Sequence, residues 1–348
     1  MLANKKNIIG GILLVGLMVL TMYLLLKGQQ LETLFTILSQ LNPLWLFFGL
    51  TLMFCYVGSE AMCSKLILTK LGHAPMYRRC LGYSFVGFYV SSITPSATGG
   101  QPAQIYYMSK DDIPVAHGTL NMMLVAVCYQ VAILIYAAAA LIFKPYLLGQ
   151  MGVGLGLLLI YGTLVMVVLT VGMLMFMFLP NAARKLMNKL LGLGTRVRII
   201  KDREAMQKRL DHQMEEYRAG ADCIRRNPGL APGLLGLTLL QQTCLFAVPY
   251  AVYRAFGLTG HGAFEIICAQ ALLTLAVSML PLPGAVGVTE GGFLMFFTVF
   301  FGTQLVTPAV LVSRGISFYA FLALSAVVTL TVHLLMKRRN RKKLEAAP

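Results

Sequence analysis

Residues 152–179 carry no charged side chain, and comparable apolar runs recur along the whole chain. A helix crossing the ~30 Å hydrocarbon core of a bilayer needs about 20 such residues. Inside lipid no water can satisfy a backbone N–H or C=O, so runs of this kind must pair their own backbone by forming helices. The composition agrees, with 57% hydrophobic residues, 12% charged residues and a mean hydropathy of +0.73. A soluble domain carries roughly twice that charge fraction. The expected fold is an all-α polytopic membrane protein.

Six full spans are expected, at residues 8–26, 43–67, 113–142, 152–179, 229–256 and 308–336. The first follows Lys5 and Lys6 and is too long for a signal-peptide core, so it is read as retained. Two further apolar regions are broken in the middle. Region 80–110 is interrupted at 94–101, and region 263–302 is interrupted at 281–290.

With Lys5 and Lys6 inside, Lys65, Lys70, Arg78 and Arg79 also fall inside, as the positive-inside rule asks. The strongly basic stretch 181–228 and the tail 337–348 then fall inside only if each broken region is a re-entrant hairpin. One hairpin would enter from the cytoplasmic side and the other from the outer side. Two halves of equal order and opposite topology result, an arrangement by which transporters build a site at mid-membrane. The whole chain, 1–348, is thus expected to be one transmembrane domain with both termini cytoplasmic. The bundle would occupy 8–336.

The net charge of +16 is explained by position. Stretch 181–228 holds 12 Lys/Arg against 6 Asp/Glu, and Lys337 to Lys343 add six more. Such charges mark the cytoplasmic side and suit anionic lipid, so no nucleic-acid partner is expected. In 181–228 the residues Met206, Leu210, Met214, Tyr217, Ala221 and Ile224 recur at helical spacing and predict one amphipathic helix. The seven cysteines lie mostly within spans and show no zinc spacing. No phosphate-binding loop for ATP is present, and no metal or cofactor is expected.

The breaks carry the chemistry. SSITPSATGGQPAQ, residues 91–104, puts two prolines, two glycines and five hydroxyls at membrane depth. Irregular backbone there must line a cavity or be buried in protein. Pro95 ends one half-helix, and Pro102 suits the first turn of the next, with Gln101 near its cap. Gly99 and Gly100 would present backbone N–H groups to a ligand, and Ser96 and Thr98 would add hydroxyls. A glycine-led helix N-terminus seats an anion such as a lipid phosphate. The competing reading is a proline-glycine kink serving only packing.

The second break, PLPGAVGVTEGG, residues 281–292, adds Glu290, with Thr289 as a candidate cap. An intramembrane carboxylate marks a functional site by default. Glu290 could balance a cationic headgroup, carry a proton, pair with Arg314 or simply face its own helix dipole. Arg314 in the last span is the best candidate for a phosphate contact. Glu60 is expected to snorkel or face the bundle. Arg254 and Glu265 belong near the outer interface, and Asp111 and Asp112 should form a solvated cap.

TPSATGGQPAQIYYM and PLPGAVGVTEGGF, in this order, resemble the paired signatures of the lysylphosphatidylglycerol synthase transmembrane-region family. That region is the membrane flippase part of the multiple peptide resistance factor. The likeness spans about residues 8–336. It implies a bacterial plasma-membrane protein that moves aminoacylated phospholipid, of the lysyl-phosphatidylglycerol kind, to the outer leaflet and protects against cationic antimicrobial peptides. Its implied headgroup-binding residues are Thr94, Pro95, Gly99, Gly100, Pro102, Gln104, Pro283, Gly284, Gly287, Glu290 and Arg314.

The chain departs from the family pattern in having Gln104 and Thr289 where many relatives carry Arg. It also ends at Pro348 after the basic tail, which implies a stand-alone membrane part without the soluble lysine-transferring domain. Membrane phospholipid is the expected partner, together with a separate aminoacyl-phospholipid synthase. Two rivals to a flippase stay open: a phosphatidylglycerol lysyltransferase, and a membrane subunit that docks such a synthase through 181–228.

Overall fold

A computed structural model of the protein describes residues 16, 19–23, 25–27, 31–179, 215, 219, 221–278, 280 and 282–345. Every regular element among these residues is helical. Most of the predicted span 8–26 and of the basic stretch 181–228 lies outside them.

The helices are α1 (Leu31–Ser39), α2 (Pro43–Lys70), α3 (Tyr77–Ile93), α4 (Gly100–Lys110), α5 (Val115–Phe143) and α6 (Tyr146–Gln150). After them come α7 (Gly152–Phe178), α8 (Leu230–Phe246), α9 (Val248–Ala255), α10 (Ala263–Val277), α11 (Val288–Arg314) and α12 (Phe321–Glu345). Among the described residues five stretches are long and apolar enough to cross a membrane: Pro43–Lys70, Val115–Phe143, Gly152–Met175, Leu230–Ala255 and Pro283–Arg339. The first four coincide with predicted spans to within a few residues. The fifth is longer than the predicted 308–336, because helix resumes at Val288 and is interrupted rather than ended. Gly302 breaks it at φ 71° and ψ 169°, and a π-helical turn, Gly315–Ala320, widens it again before α12.

Local chemistry sets the ends. Asn42 caps α2 by accepting from the Leu44 N–H at 3.0 Å, with Pro43 in the first turn, where its missing donor costs nothing. Gly72, at φ 86°, turns the chain out of α2.

Both broken regions fold into helical hairpins. In the first, Tyr83 near the start of α3 donates to Asp111 just past the end of α4 at 2.5 Å. In the second, His261 just before α10 packs edge-on against Phe300 of α11, with centroids 5.0 Å apart. The second hairpin's base lies with Ala255 and Asn42 at the start of α2; the first hairpin's base lies beyond the opposite end of α2. The hairpins therefore point toward each other, and their turns touch. The flanking helices follow the same symmetry. α2 packs on α8, α12 packs on the first hairpin's α3, and α5 packs on the second hairpin's α10.

In lipid, apolar surface gives no net drive to helix association, so close packing must hold the bundle. The second hairpin supplies it with Phe293, Phe296, Phe297, Phe300 and Phe301, all buried, and with Phe293 and Phe297 stacked at 4.1 Å. At the outer face Val153, Leu157, Ile160, Leu164, Val168 and Val171 of α7 are exposed, as a lipid-facing surface requires.

Candidate functional site

The two hairpins reverse through turns with the same hydrogen-bond pattern. In the first, Thr94 (φ −110°, ψ 142°) leads into a 3₁₀ turn, Pro95–Ala97. In the second, Leu282 (φ −112°, ψ 138°) leads into Pro283–Ala285. The Ala97 N–H bonds to the Thr94 carbonyl and the Thr98 N–H to that of Pro95. The Ala285 N–H bonds to Leu282 and the Val286 N–H to Pro283, and all four bonds measure 3.2 Å. Ala97 (φ 54°) and Ala285 (φ 49°) both occupy the left-handed region. That region costs a non-glycine residue on the order of 1 kcal/mol, so each turn is held in place by its surroundings. The match is confined to these features: Gly284 is itself left-handed at φ 59°, Val286 is extended (ψ 140°) where Thr98 is helical (ψ −18°), and Gly287 has φ 88° where Gly99 has φ −84°.

A cavity of about 300 Å³ opens where the turns meet. Ser91, Ser92 and Ala97 line it from the first hairpin, and Gly284, Ala285 and Thr289 from the second. Ser313, Arg314 and Ser317 form a third wall, and Tyr56 and Tyr129 stand on the side of α2 and α5.

Arg314 is the charge on this wall. Its Nε donates to Glu290 Oε1 at 2.7 Å and its Nη2 to the Gly284 carbonyl at 3.2 Å. Tyr319 donates to the same Glu290 oxygen at 3.2 Å, and the Gly287 N–H donates to Oε2 at 2.7 Å, so that Glu290 caps the start of α11 from its N3 position. The guanidinium also lies 4.3 Å from the centroid of Phe318 and 5.9 Å from that of Tyr319. The π-helical turn brings Arg314, Phe318 and Tyr319 together on this side of the helix. A guanidinium has five N–H groups, and two of them are taken by described residues, which leaves donors for an anion in the cavity. Of the roles open to Glu290, the structure realises the ion pair with Arg314. The carboxylate is 2% exposed and both its oxygens are engaged, so it is not turned toward a cationic headgroup.

Of the residues singled out from sequence, Gly284, Thr289 and Arg314 line the cavity. The others build the hairpins. Thr94 Oγ1 accepts from the Gly99 N–H at 3.0 Å and donates to the Val90 carbonyl at 2.8 Å. The Gly99 N–H is thus used internally instead of facing a ligand. Gly100 is buried against Ser91 and the Gly87 carbonyl, where a Cβ would overlap both, so it permits α4 to cross α3. The Thr98 hydroxyl turns back to the Pro95 carbonyl at 3.0 Å. Pro95, Gln101 and Pro102 are exposed, Pro283 is buried in its turn, and Gly287 caps α11 in place of Thr289. Thr289 instead bonds the Ala285 carbonyl at 2.9 Å. The side chain of Ser96 lies outside the described set. Gln104 is buried away from the cavity and donates to Glu60 Oε1 at 2.9 Å.

Of the two readings open to Glu60 the structure takes the second: it faces the bundle, bonded to Gln104 and, at 3.4 Å, to Gln241, while Asp111 differs from expectation. Asp111 is no solvated cap. It is 5% exposed and receives Tyr83 at 2.5 Å and Arg339 at 2.6 Å, with Arg79 at 3.6 Å. The hydroxyls of Ser91, Ser92, Ser313 and Ser317 were missed as cavity residues, although the serine pair heading the first break was a visible signal.

Arg254 lies over Trp45 at 5.3 Å, and Glu265 accepts from Tyr146 and meets His261, which places both at the second hairpin's base. Among the described residues no cluster of three or more His, Cys, Asp or Glu side chains is placed to hold a metal.

No solved structure matches the chain. It is 23% identical over 307 residues to a UPF0104 membrane protein of Archaeoglobus fulgidus, a match covering 87% of this chain and 91% of that relative. The family model described as "Lysylphosphatidylglycerol synthase TM region" matches residues 8–325. With both hairpin signatures inside that match, the protein belongs to the lysylphosphatidylglycerol synthase transmembrane-region family.

Proposed function

We propose that the protein is a flippase that carries the headgroup of an anionic or aminoacylated phospholipid, of the lysyl-phosphatidylglycerol kind, between leaflets. The observation that carries this reading is the cavity at the meeting of two opposed hairpin turns, walled by Arg314 and serine hydroxyls. A charged headgroup cannot cross ~30 Å of hydrocarbon unaided, and a polar chamber at mid-depth divides that barrier.

The phosphate takes the N–H groups of Arg314 that Glu290 and Gly284 leave open, helped by hydroxyls from Ser91, Ser313 and Ser317. Glu290 aims the guanidinium. The exposed Pro95, Ala97 and Thr98 belong beside a water-filled opening, because irregular backbone is not tolerated against lipid. The acyl chains stay in the bilayer throughout. Delivery of the aminoacylated lipid to the outer leaflet lowers the negative surface charge and so the attraction for cationic antimicrobial peptides.

The test follows lysyl-phosphatidylglycerol, and separately phosphatidylglycerol, between leaflets of proteoliposomes. Wild type is expected to move lipid. Arg314→Gln is expected to lose most of that rate, and Gln101→Ala, at an exposed position outside the cavity, to keep it. Wild-type transfer no faster than in empty liposomes, with folded protein, refutes the proposal.

A further inference from the structure

The bundle contains a second interior carboxylate, and its surroundings are the opposite of those of Glu290. Glu60 on α2 receives amide N–H groups from Gln104 of the first hairpin at 2.9 Å and from Gln241 of α8 at 3.4 Å. Among the described residues no Lys, Arg or His forms an ion pair with it. The titratable groups around it are Tyr56 and Cys63 on its own helix and Tyr129 on α5. The first hairpin and α8 face it with neutral amides.

Glu60 is half-buried, and a carboxylate held among protein groups without a basic partner is poorly compensated when ionised, which favours the form that holds a proton. Two amides are partners that suit both charge states. Each donates through its nitrogen to a carboxylate, and after a half-turn each accepts through its oxygen from a carboxylic acid. Gln104 Oε1 is at present buried without a partner, so this amide holds the acceptor that a protonated Glu60 needs. Glu290, by contrast, faces the Arg314 guanidinium at 2.7 Å.

The position also links proton to cavity. Gln241 bonds Glu60, one turn along α2 from Tyr56, and Tyr56 and Tyr129 line the cavity wall. On the other side, Gln104 lies four residues beyond Gly100 in α4, against Gly87 of α3, where only a glycine leaves it room. A change of charge at Glu60 therefore acts on the hairpin whose turn closes the cavity.

We infer that Glu60 is a proton-binding site that couples proton movement to displacement of the first hairpin, making lipid translocation proton-driven. The coupling rests on the flippase reading; the proton site does not. In the neutral state Glu60 donates to the Gln104 oxygen. Loss of the proton toward the cavity, past Tyr56, turns that amide until its N–H donates to the anion, the arrangement seen in this structure, and the turn of an amide packed on Gly87 moves the first hairpin.

Two measurements test this on the full chain. In the first, membranes are treated with dicyclohexylcarbodiimide, which adds only to a protonated carboxyl in an apolar site. The acid proton moves to one carbodiimide nitrogen and the carboxylate oxygen bonds its carbon, giving an O-acylisourea; its acyl group then shifts from oxygen to nitrogen, breaking the acyl C–O bond and leaving a stable N-acylurea detectable by mass. Labelling is expected at Glu60 and not at Glu290, to fall as pH rises, and to be abolished by Glu60→Gln. Absence of label at Glu60 overturns the proton site whether or not lipid moves.

In the second, a gradient of about one pH unit is imposed on proteoliposomes. One coupled proton then shifts the leaflet ratio of transported lipid about tenfold. Glu60→Gln, nearly isosteric and checked for folding by thermal unfolding, is expected to equilibrate lipid to a ratio near one. A wild-type ratio that ignores the gradient, or a Glu60→Gln ratio that still follows it, overturns the coupling. Wild type that moves no lipid refutes the flippase reading, and with it the coupling, and leaves the labelling to decide the proton site.

Discussion

Replacing Glu290 with Gln should destabilise the fold by more than the loss of one hydrogen bond. The substitution keeps an oxygen for the Gly287 N–H, now at 2.7 Å, but turns an amide N–H₂ toward the Arg314 Nε that the carboxylate holds at 2.7 Å. Arg314 is 12% exposed, so its charge would be left nearly dry and unmatched. Breaking a buried pair from one side typically costs about 3–5 kcal/mol. At about 2.1 cal/mol/K of unfolding entropy per residue, that loss lowers the midpoint of a chain this long by roughly 4–7 °C.

Arg314→Gln alone should cost a comparable amount, since it strands the carboxylate. The double variant Glu290→Gln/Arg314→Gln strands neither charge and should be more stable than the two losses summed, by about 2 kcal/mol or more. Thermal unfolding of the four proteins in one detergent measures this cycle. Losses that add within about 0.5 kcal/mol would show that the two side chains are not energetically paired, and would remove the reason given for the orientation of Arg314.

Gly284→Ala should be more damaging than most glycine substitutions, because φ is 59° and the new methyl would meet the ring of Phe318. A loss of about 2 kcal/mol or more in thermal unfolding is expected; a change under about 0.5 kcal/mol would contradict the described turn. Asp111→Ala removes the shared acceptor of Tyr83, Arg79 and Arg339 and should free the C-terminal end of α12 from the first hairpin's base. Trypsin cleavage after Arg339 should then accelerate at least several-fold while the melting of the bundle changes little.

The spans were legible because uncharged runs of this length admit one backbone solution in lipid, and the breaks because Pro95 and Pro283 interrupt a helix and Gly99 and Gly287 weaken one. Even Gly302, where α11 is interrupted, stood at the predicted end of the second broken region. The direction faced by each break residue was not legible. Whether Gly100 presents its N–H or merely lets two helices cross depends on Ser91 and Gly87, which reach it only once the hairpin has closed. Likewise the partners of Glu60 and Asp111 come from helices far along the chain, Gln241 in one case and Arg339 in the other. No local pattern announces such pairs. The predicted amphipathic stripe in 181–228 falls largely outside the described residues; Ala221 and Ile224, its described members, do pack on the bundle beside Cys223 and Leu230.

The interruption at Gly302 and the widened turn at 315–320 cut one long helix into three rods. The middle rod, residues 303–314, is about 18 Å long at 1.5 Å per residue, and Arg314 sits at its far end. A tilt of about 10° at Gly302 would carry that end roughly 3 Å, as far as the whole reach of a hydrogen bond. Glu290 rides on the other side of the pivot, in residues 288–301. The ion pair is therefore a latch across a hinge, and a phosphate that competes for the guanidinium would be the key that releases it.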